Sequence, residues 1–261
     1  MQTGSRVADT PLQAVSREDV EELNSAMNGY GVGVLRNVIS DSVLERTRSY
    51  VKQALEKHNG QYFSLRGLEW IAESPLDAVF RSEGFHAVLK GLYEKAMDAS
   101  PPSDRIAPSI RVLSGTLGLR HSNLFHYDSY VVTALVPILI PTRPDELPGH
   151  LVMFPNLRNV RRRAVVNIIE KALVESSAGR RLWRSHWAQR LLGARVVPLE
   201  PGNIYFFWGM RALHANQPCL PESVRSTALF HFGDPHEKSI FKQFSQRRAE
   251  AICRRLAART R

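Results

Sequence analysis

His126 and Asp128, in the stretch NLFHYDSYVVT, are a pair whose types and spacing could bind a metal ion. If the stretch forms a β-strand, alternation places both side chains on one face. Imidazole and carboxylate groups are ligands of divalent transition metals, and a third ligand would complete a facial site. The pair alone is more typical of two polar residues at the start of a strand, so the third ligand decides the interpretation.

His214 and Arg225 follow in a segment that offers candidates for the remaining roles. The run IYFFWG is an apolar strand pattern, and His214 lies at a strand end before a proline-containing loop. Arg225 begins the next strand pattern, VRSTALFHF, and alternation places Thr227 on the same face. In the alternative interpretation, His214 caps a loop and Arg225 pairs with Glu222. Four further histidines are not expected to be ligands: His121, His150, His231 and His236.

Taken in order, these residues resemble the motif of Fe(II)/2-oxoglutarate dioxygenases, most closely the phytanoyl-CoA dioxygenase-like branch. That family has His-x-Asp on one strand, a distal His, and an Arg followed by Ser or Thr. The resemblance implies that His126, Asp128 and His214 bind Fe(II). It further implies that Arg225 and Thr227 hold the distal carboxylate of 2-oxoglutarate, with O2 at the last metal position. No catalytic residue beyond the metal ligands is implied.

The resemblance extends from about residue 29 to residue 232, leaves residues 158–195 unmatched, and implies a hydroxylase. Relatives that halogenate carry Gly or Ala at the position of Asp128, so its carboxylate implies hydroxylation or desaturation. The stretches GHLVMFPNLRN, NIYFFWGMRALHANQPC and FHFGDPH are similar to 3-deoxy-D-manno-octulosonic acid (Kdo) hydroxylases. Those enzymes act on the Kdo sugar of lipopolysaccharide precursors, which are anionic, membrane-embedded glycolipids. The rival substrate is a small soluble carboxylate, such as a free or N-acylated amino acid.

Basic residues are concentrated in two segments of the 261-residue chain, which carries 35 Lys and Arg against 25 Asp and Glu, a net charge of +10. Residues 158–195 hold ten basic and two acidic residues (+8), and residues 242–261 hold seven and one (+6), so the remainder is −4. Such segments favour an anionic partner: nucleic acid, anionic lipid or an acidic small molecule. Solvated basic helix faces are the alternative. A basic nucleic-acid-binding module is the non-enzymatic alternative. Because the sequence contains no recognised nucleic-acid motif, we expect no nucleic-acid partner.

Three residues are the best candidates for holding an anionic group of the substrate, although a structural role is the more usual one for each. They are Arg66 in YFSLRGLEW, and Arg120 with His121 in LGLRHSN. The segment 158–195 contains apolar stripes edged with arginine and tryptophan, VVNIIEKALV and GRRLWRSHWAQRLL. This pattern is typical of a helix at a membrane interface, which would give peripheral contact with an anionic membrane surface. It is equally typical of a helix that packs on a sheet with a basic outer face.

The elements that would position these residues predict one mostly β domain over residues 1–261. Residues 1–108 are predicted to be largely helical, 109–157 and 195–235 to form strands, 158–194 to be a helical insertion, and 236–261 to be a basic helix. We predict a double-stranded β-helix core (jelly roll or cupin-like), flanked by the N-terminal helices, with the insertion outside the double sheet.

No stretch approaches the roughly 20 apolar residues of a membrane-spanning helix. The N-terminal residues lack the charged start and apolar run of a signal peptide. Two cysteines, Cys219 and Cys253, make no disulfide framework, and neither has an assignable role. We therefore expect a cytoplasmic protein that could act peripherally at the inner face of the membrane.

Overall fold

The computed structural model describes residue 12 and residues 15–142, 147–161 and 163–237. Cys253, and all but the first two residues of the basic helix predicted over 236–261, lie outside the described residues. The helices are α1 Arg17–Gly29, α2 Asp41–Lys57, α3 Leu68–Ala72, α4 Asp77–Phe80, α5 Glu83–Met97, α6 Gly115–Arg120, α7 Ala164–Glu175, α8 Ser177–Arg184 and α9 His186–Leu191. The strands are β1 Gly33–Leu35, β2 Phe63–Arg66, β3 Ile106–Leu113, β4 Val132–Leu139, β5 Leu151–Phe154, β6 Arg195–Val197, β7 Ile204–Trp208, β8 Leu213–Asn216 and β9 Arg225–Phe232.

Two antiparallel sheets form the core of the protein. The larger has the order β1-β7-β4-β9-β3-β2, and the smaller has the order β6-β5-β8. Neighbouring strands in each sheet are distant in sequence, as a jelly roll requires. The predicted jelly-roll core with flanking helices is therefore confirmed.

The larger sheet is covered on both faces, which explains the apolar sequences of its central strands. Helix α5 packs on the outer face, where Phe85 lies 5.2 Å from Phe230 of β9 between ring centroids. On the inner face, Leu135, Tyr205 and other side chains pack against residues of the smaller sheet, such as Met153. A strand buried on both faces gives a nearly continuous apolar run, and seven of the eight residues of β4 are buried.

Helix α1 begins with a capping box that positions it beside the larger sheet. The amide of Asp19 donates to Ser16 Oγ at 3.0 Å, and the amide of Ser16 donates to Asp19 Oδ2 at 2.8 Å. The helix then buries an apolar stripe at helical spacing: Val20, Leu23 and Met27.

The insertion forms helices α7, α8 and α9, which lie against the outer face of the smaller sheet. Trp183 of α8 packs edge-on against Phe154 of β5, with 5.3 Å between ring centroids. Val174 of α7 joins the same apolar cluster, which contains Phe125 and Leu213. Among the described helices, none is both long and apolar enough to cross a bilayer.

Candidate metal centre

His126 and His214 are held by a reciprocal pair of backbone hydrogen bonds. The amide of His126 donates to the carbonyl of His214 at 3.0 Å, and the amide of His214 donates back at 3.1 Å. This isolated bridge stands in front of β4, which begins only at Val132. The HYD stretch is therefore not part of a regular strand. Asp128 is fixed separately, since its amide donates to the carbonyl of Gly209 at 2.9 Å.

The side chains of His126, Asp128 and His214 converge, as their types and order suggest. Their ligand atoms all lie within 4.8 Å of one another. His126 Nε2 is 3.7 Å from Asp128 Oδ1, and His214 Nε2 is 3.7 Å from Asp128 Oδ2. Both distances are too long for a good hydrogen bond. The two nitrogens and the carboxylate instead surround a common point, as ligands of one ion would.

Both imidazoles are oriented by their other ring nitrogen. His126 Nδ1 lies 2.8 Å from the carbonyl of Leu124, and His214 Nδ1 lies 3.0 Å from the carbonyl of Ala212. A carbonyl oxygen only accepts, so each Nδ1 carries the proton. Each neutral ring therefore presents the lone pair of Nε2 towards Asp128. Such backbone contacts to the second nitrogen are typical of histidines that bind metals.

The protonation states of the three side chains also suit a metal. Burial and the neighbouring His214 lower the pKa of His126 to about 4. Burial likewise lowers the pKa of His214. For Asp128, burial alone would raise the pKa, but the surrounding histidines and the Thr133 hydroxyl outweigh it and hold the pKa well below its ordinary value. At neutral pH the site therefore offers two neutral imidazoles and one carboxylate.

Two polar residues that the sequence did not single out support Asp128. Thr133 Oγ1 donates to Asp128 Oδ2 at 2.6 Å. Because that hydroxyl has donated its only proton, it accepts from His231 Nδ1 at 3.1 Å. His231 lies outside the cluster of His126, Asp128 and His214, and it holds the residue that orients Asp128. Alternation along β9 could have indicated it, since His231 lies on the face of Arg225 and Thr227.

Gly209 lies where any side chain would enter the metal centre. A Cβ at this position would be 2.5 Å from Thr133 Oγ1 and 2.8 Å from Asp128 Oδ2. Such distances are far below van der Waals contact. Because Gly209 has no side chain, Asp128 and Thr133 can approach the backbone of the turn between β7 and β8.

Arg225 is buried, with 2% of its surface exposed, on the inner face of the larger sheet. Its Nε donates to the carbonyl of Gly149 at 2.6 Å, and Nη1 donates to Thr227 Oγ1 at 3.3 Å. Among the described residues it has no salt bridge, and the alternative pairing with Glu222 is not found. Burial and the nearby Arg111 lower its pKa to about 10. A buried guanidinium without a carboxylate partner is costly unless an anionic ligand pairs with it.

A cavity of about 460 Å³ adjoins the metal centre, and both His126 and Asp128 line it. Apart from Asp128, the charged side chains in its wall are all cationic: Arg66, Arg105, Arg111 and Lys171. Lys171 comes from the insertion, and its Nζ donates to Ser129 Oγ at 3.1 Å. The wall therefore suits a ligand with negative charge.

Only one of the three residues predicted to contact the substrate lies in the wall of this cavity. Arg66 lines the cavity. His121 instead stacks on Tyr62, with 3.8 Å between ring centroids, and Arg120 is exposed at the end of α6; neither lines the cavity. Cys219 is buried in the connection between β8 and β9. Sequence reasoning missed Arg105, Arg111 and Lys171: β3 and the residue before it supply the two arginines, and α7 supplies the lysine.

No protein-family profile and no curated protein matches the sequence. Among solved structures, a prolyl 4-hydroxylase from Phytophthora capsici aligns with a TM-score of 0.54 and 13% identity, over 90% of this chain and 72% of its own. A Trichoplax adhaerens prolyl hydroxylase, in complex with a peptide of hypoxia inducible factor, aligns with a TM-score of 0.52 and 11% identity, over 86% of this chain and 94% of its own. HygX from Streptomyces hygroscopicus, solved with iron bound, aligns with a TM-score of 0.50 and 14% identity, over 84% of this chain and 87% of its own.

These similarities show the fold. The protein shares the jelly-roll fold of these hydroxylases, with antiparallel sheets and flanking helices. At these identities the activity has to be argued from the chain's own residues.

Proposed function

We propose that the protein is a non-haem Fe(II)/2-oxoglutarate-dependent oxygenase that hydroxylates a C–H bond of an anionic substrate. The observation that carries the proposal is the convergence of His126, Asp128 and His214, with both Nε2 atoms free and aimed at the carboxylate. Two imidazoles and one carboxylate are the donor set of non-haem Fe(II) oxygenases. The residues therefore fit this metal.

Arg225 supports 2-oxoglutarate as the co-substrate. It is a buried cation with no carboxylate partner among the described residues, and its planar fork matches a carboxylate. Thr227 adds a hydroxyl beside the guanidinium. The distal carboxylate of 2-oxoglutarate would neutralise this buried charge.

In the proposed reaction the chain's own residues bind the metal and the substrate and orient the metal ligands. When bound, Fe(II) together with 2-oxoglutarate and O2 supplies the oxidising chemistry that inserts oxygen into a C–H bond. His126, Asp128 and His214 would hold the metal and would leave its other positions to the reactants. Thr133 keeps the Asp128 carboxylate in position, and the cavity cations hold the substrate beside His126.

The cationic cavity wall supports an anionic substrate. Within this class we propose the Kdo sugar of a lipopolysaccharide precursor, since the sequence resembles Kdo hydroxylases and Kdo carries a carboxylate. A small soluble carboxylate, such as a free or N-acylated amino acid, would use the same cations and is the second candidate. A basic nucleic-acid-binding module gives no role to the converging ligand set or to buried Arg225.

Anaerobic titration tests the metal and the co-substrate. We expect Fe(II) plus 2-oxoglutarate to produce a weak visible charge-transfer band and to raise the melting temperature of the protein. Both effects should vanish in His126→Ala and persist in the control His58→Ala, which alters an exposed histidine of the α2 C-terminus. If the wild-type protein shows neither effect, the oxygenase proposal is wrong.

Mass spectrometry tests the substrate. The iron-loaded protein is incubated in air with 2-oxoglutarate and Kdo-containing lipid A and, separately, with 2-oxoglutarate and a panel of N-acyl amino acids, and one added oxygen atom is sought. Oxidation of the glycolipid supports the Kdo assignment, whereas oxidation of the panel alone supports the soluble carboxylate. In either case Arg111→Gln should raise KM more than it lowers kcat, because Arg111 lies in the cavity wall and outside the ligand set.

A further inference from the structure

Helix α7 of the insertion has its polar and apolar faces reversed relative to a helix that packs on a core. Three of its four polar residues turn inward: Asn167 and Glu170 bind Arg158, and Lys171 binds Ser129. The side chains that turn outward are apolar and largely exposed: Val165, Val166, Ile168, Ile169 and Leu173. A helix packed only on its own protein shows the opposite pattern.

The apolar exposure continues through the rest of the insertion. Trp187 and Leu191 of α9 are each 68% exposed, and Leu182 of α8 is 43% exposed. Among the described residues, ten of the sixteen exposed large apolar side chains lie between 165 and 196. Clustering of this kind marks an interaction surface, since scattered single residues are the rule elsewhere.

Exposed cations accompany these apolar side chains in the insertion. Arg180, Arg181 and Arg190 are exposed on α8 and α9. Of the two acidic residues in the insertion, Glu170 is turned inward against Arg158 and Arg161, which leaves Glu175 as the acidic residue on the outside. The surface of the insertion therefore combines exposed apolar side chains with an excess of exposed cations.

We propose that residues 164–196 form a docking face for an anionic lipid bilayer. The positive charge of the docking face favours an anionic bilayer over another part of this protein. A second copy of the chain would bring the same arginines against one another, and the basic segment 242–261 would also place positive charge on positive charge. Exposed Trp and Leu amid Arg match the boundary between headgroups and acyl chains, where such helices lie in the plane of the membrane.

The docking face and the cavity share one helix. Lys171 lines the cavity from the inner side of α7, while Ile168 and Leu173 lie on its outer side. A bilayer on the docking face would therefore lie one helix diameter from the cavity wall. This inference stands on the apolar and charged surface of the insertion, and it holds whether or not the proposed oxygenase activity does.

Flotation of the full-length protein with vesicles tests the docking face. We expect binding to phosphatidylglycerol–phosphatidylcholine vesicles and little to pure phosphatidylcholine. Ile168→Ser/Leu173→Ser should weaken binding at least about tenfold, and Arg180→Glu/Arg181→Glu should do so by a similar factor. The matched controls are Leu117→Ser/Leu119→Ser for the apolar pair and Arg36→Glu/Arg46→Glu for the charge; all four residues are exposed outside the docking face.

Fluorescence locates the contact and separates it from binding through the C-terminal segment. Brominated lipids should quench the tryptophan emission of the wild-type protein and should lose most of this effect in Trp187→Phe. Trp70 and Trp208, in contrast, are buried, and Trp183 is half-buried against Phe154 within the docking face. Undiminished flotation of both docking-face variants, or quenching that survives Trp183→Phe/Trp187→Phe, would overturn the proposal. Binding only to an acidic protein, with none to anionic vesicles, would overturn it equally.

Discussion

The hydroxyl of Thr133 donates a 2.6 Å hydrogen bond to Oδ2 of Asp128, the only carboxylate in the candidate metal centre. This hydrogen bond joins the start of β4 to the HYD stretch before it and sets the rotation of the carboxylate. Because a ligand's affinity depends on how it is oriented before the ion arrives, residues of this kind contribute to metal binding without touching the metal.

Thr133→Val should weaken Fe(II) binding by about 10- to 100-fold while leaving the fold intact, because valine preserves the shape but not the donor. Anaerobic calorimetric titration measures the change. Thr133→Ser should restore most of the affinity, and Thr116→Val, at an exposed position of α6, should have no effect. Equal affinities for the wild-type protein and Thr133→Val would contradict the role given to this hydrogen bond.

Gly209→Ala should damage the same centre by crowding. The added Cβ would be placed 2.8 Å from Asp128 Oδ2, so the carboxylate or the turn must shift. We expect a loss of about 1–3 kcal/mol in the free energy of unfolding, as for other overpacked sites, together with weaker metal binding. The control Gly29→Ala has no atom within 4 Å of the new Cβ and should cost nothing comparable.

Gly149→Ala should impair 2-oxoglutarate binding through Arg225. Gly149 has a φ of +66°, and a Cβ there would be 2.7 Å from Arg225 Cδ. Gly60→Ala is a matched control, because Gly60 has a similar φ of +69° with open space around it. Backbone strain should therefore cost both variants alike in stability. Only Gly149→Ala should lose the rise in melting temperature that 2-oxoglutarate causes.

Arg225→Lys tests the arginine directly. Lysine keeps the charge but loses the planar fork, so we expect 2-oxoglutarate affinity to fall by about 10- to 100-fold. The dissociation constant can be measured by quenching or calorimetry with the metal-loaded protein. An unchanged constant would show that the anion binds elsewhere, for example at the cavity cations.

Glu170→Gln should loosen the insertion in a pH-dependent manner. Glu170 pairs with Arg158 and Arg161, and the Arg158 guanidinium also lies 3.7 Å from the centre of the Tyr127 ring, beside the metal ligands. The hydrogen bond with Arg161, opposed by burial and aided by Arg158, lowers the pKa of Glu170 below its ordinary value. Removing this carboxylate leaves the mostly buried Arg158 without its charge partner and should cost about 1–3 kcal/mol at neutral pH.

The sign of the pH effect follows from the lowered pKa. Stabilisation by Glu170 is complete above the ordinary carboxyl pKa of about 4.5 and is lost as the pH falls through the lower folded-state value. Urea unfolding should therefore show a difference between wild type and Glu170→Gln that shrinks below about pH 4.5. Glu175→Gln, on the exposed side of the same helix, should show little difference at any pH.

The sequence predicted which side chains come together better than it predicted the geometry that holds them. Residue type and order selected His126, Asp128 and His214, which converge in the structure, and alternation correctly placed Arg225 and Thr227 on one face. Alternation misled at the HYD stretch, where no regular strand forms. The amides of His126 and Asp128 bond to residues more than 80 positions away, and such pairings depend on tertiary structure.

Contacts between distant strands explain most of what the sequence did not predict. Thr133, Gly209 and His231 meet because of the register among β4, β7 and β9, which no local pattern contains. The same holds for Arg105, Arg111 and Lys171 in the cavity. The helical period of α7 was evident in the sequence, but a period alone does not tell which face of the helix turns inward. In the structure, hydrogen bonds to Arg158 and Ser129 turn the polar face inward.

The reciprocal backbone bridge between His126 and His214 has an evolutionary consequence. Two candidate ligands are positioned by a pair of peptide groups, and the third by a backbone hydrogen bond to Gly209, so the backbone that carries them does not depend on the cationic side chains of the cavity wall. These cations, and the insertion that supplies Lys171, can therefore change under selection without moving that backbone. A scaffold of this kind can acquire new substrates by replacing its walls alone.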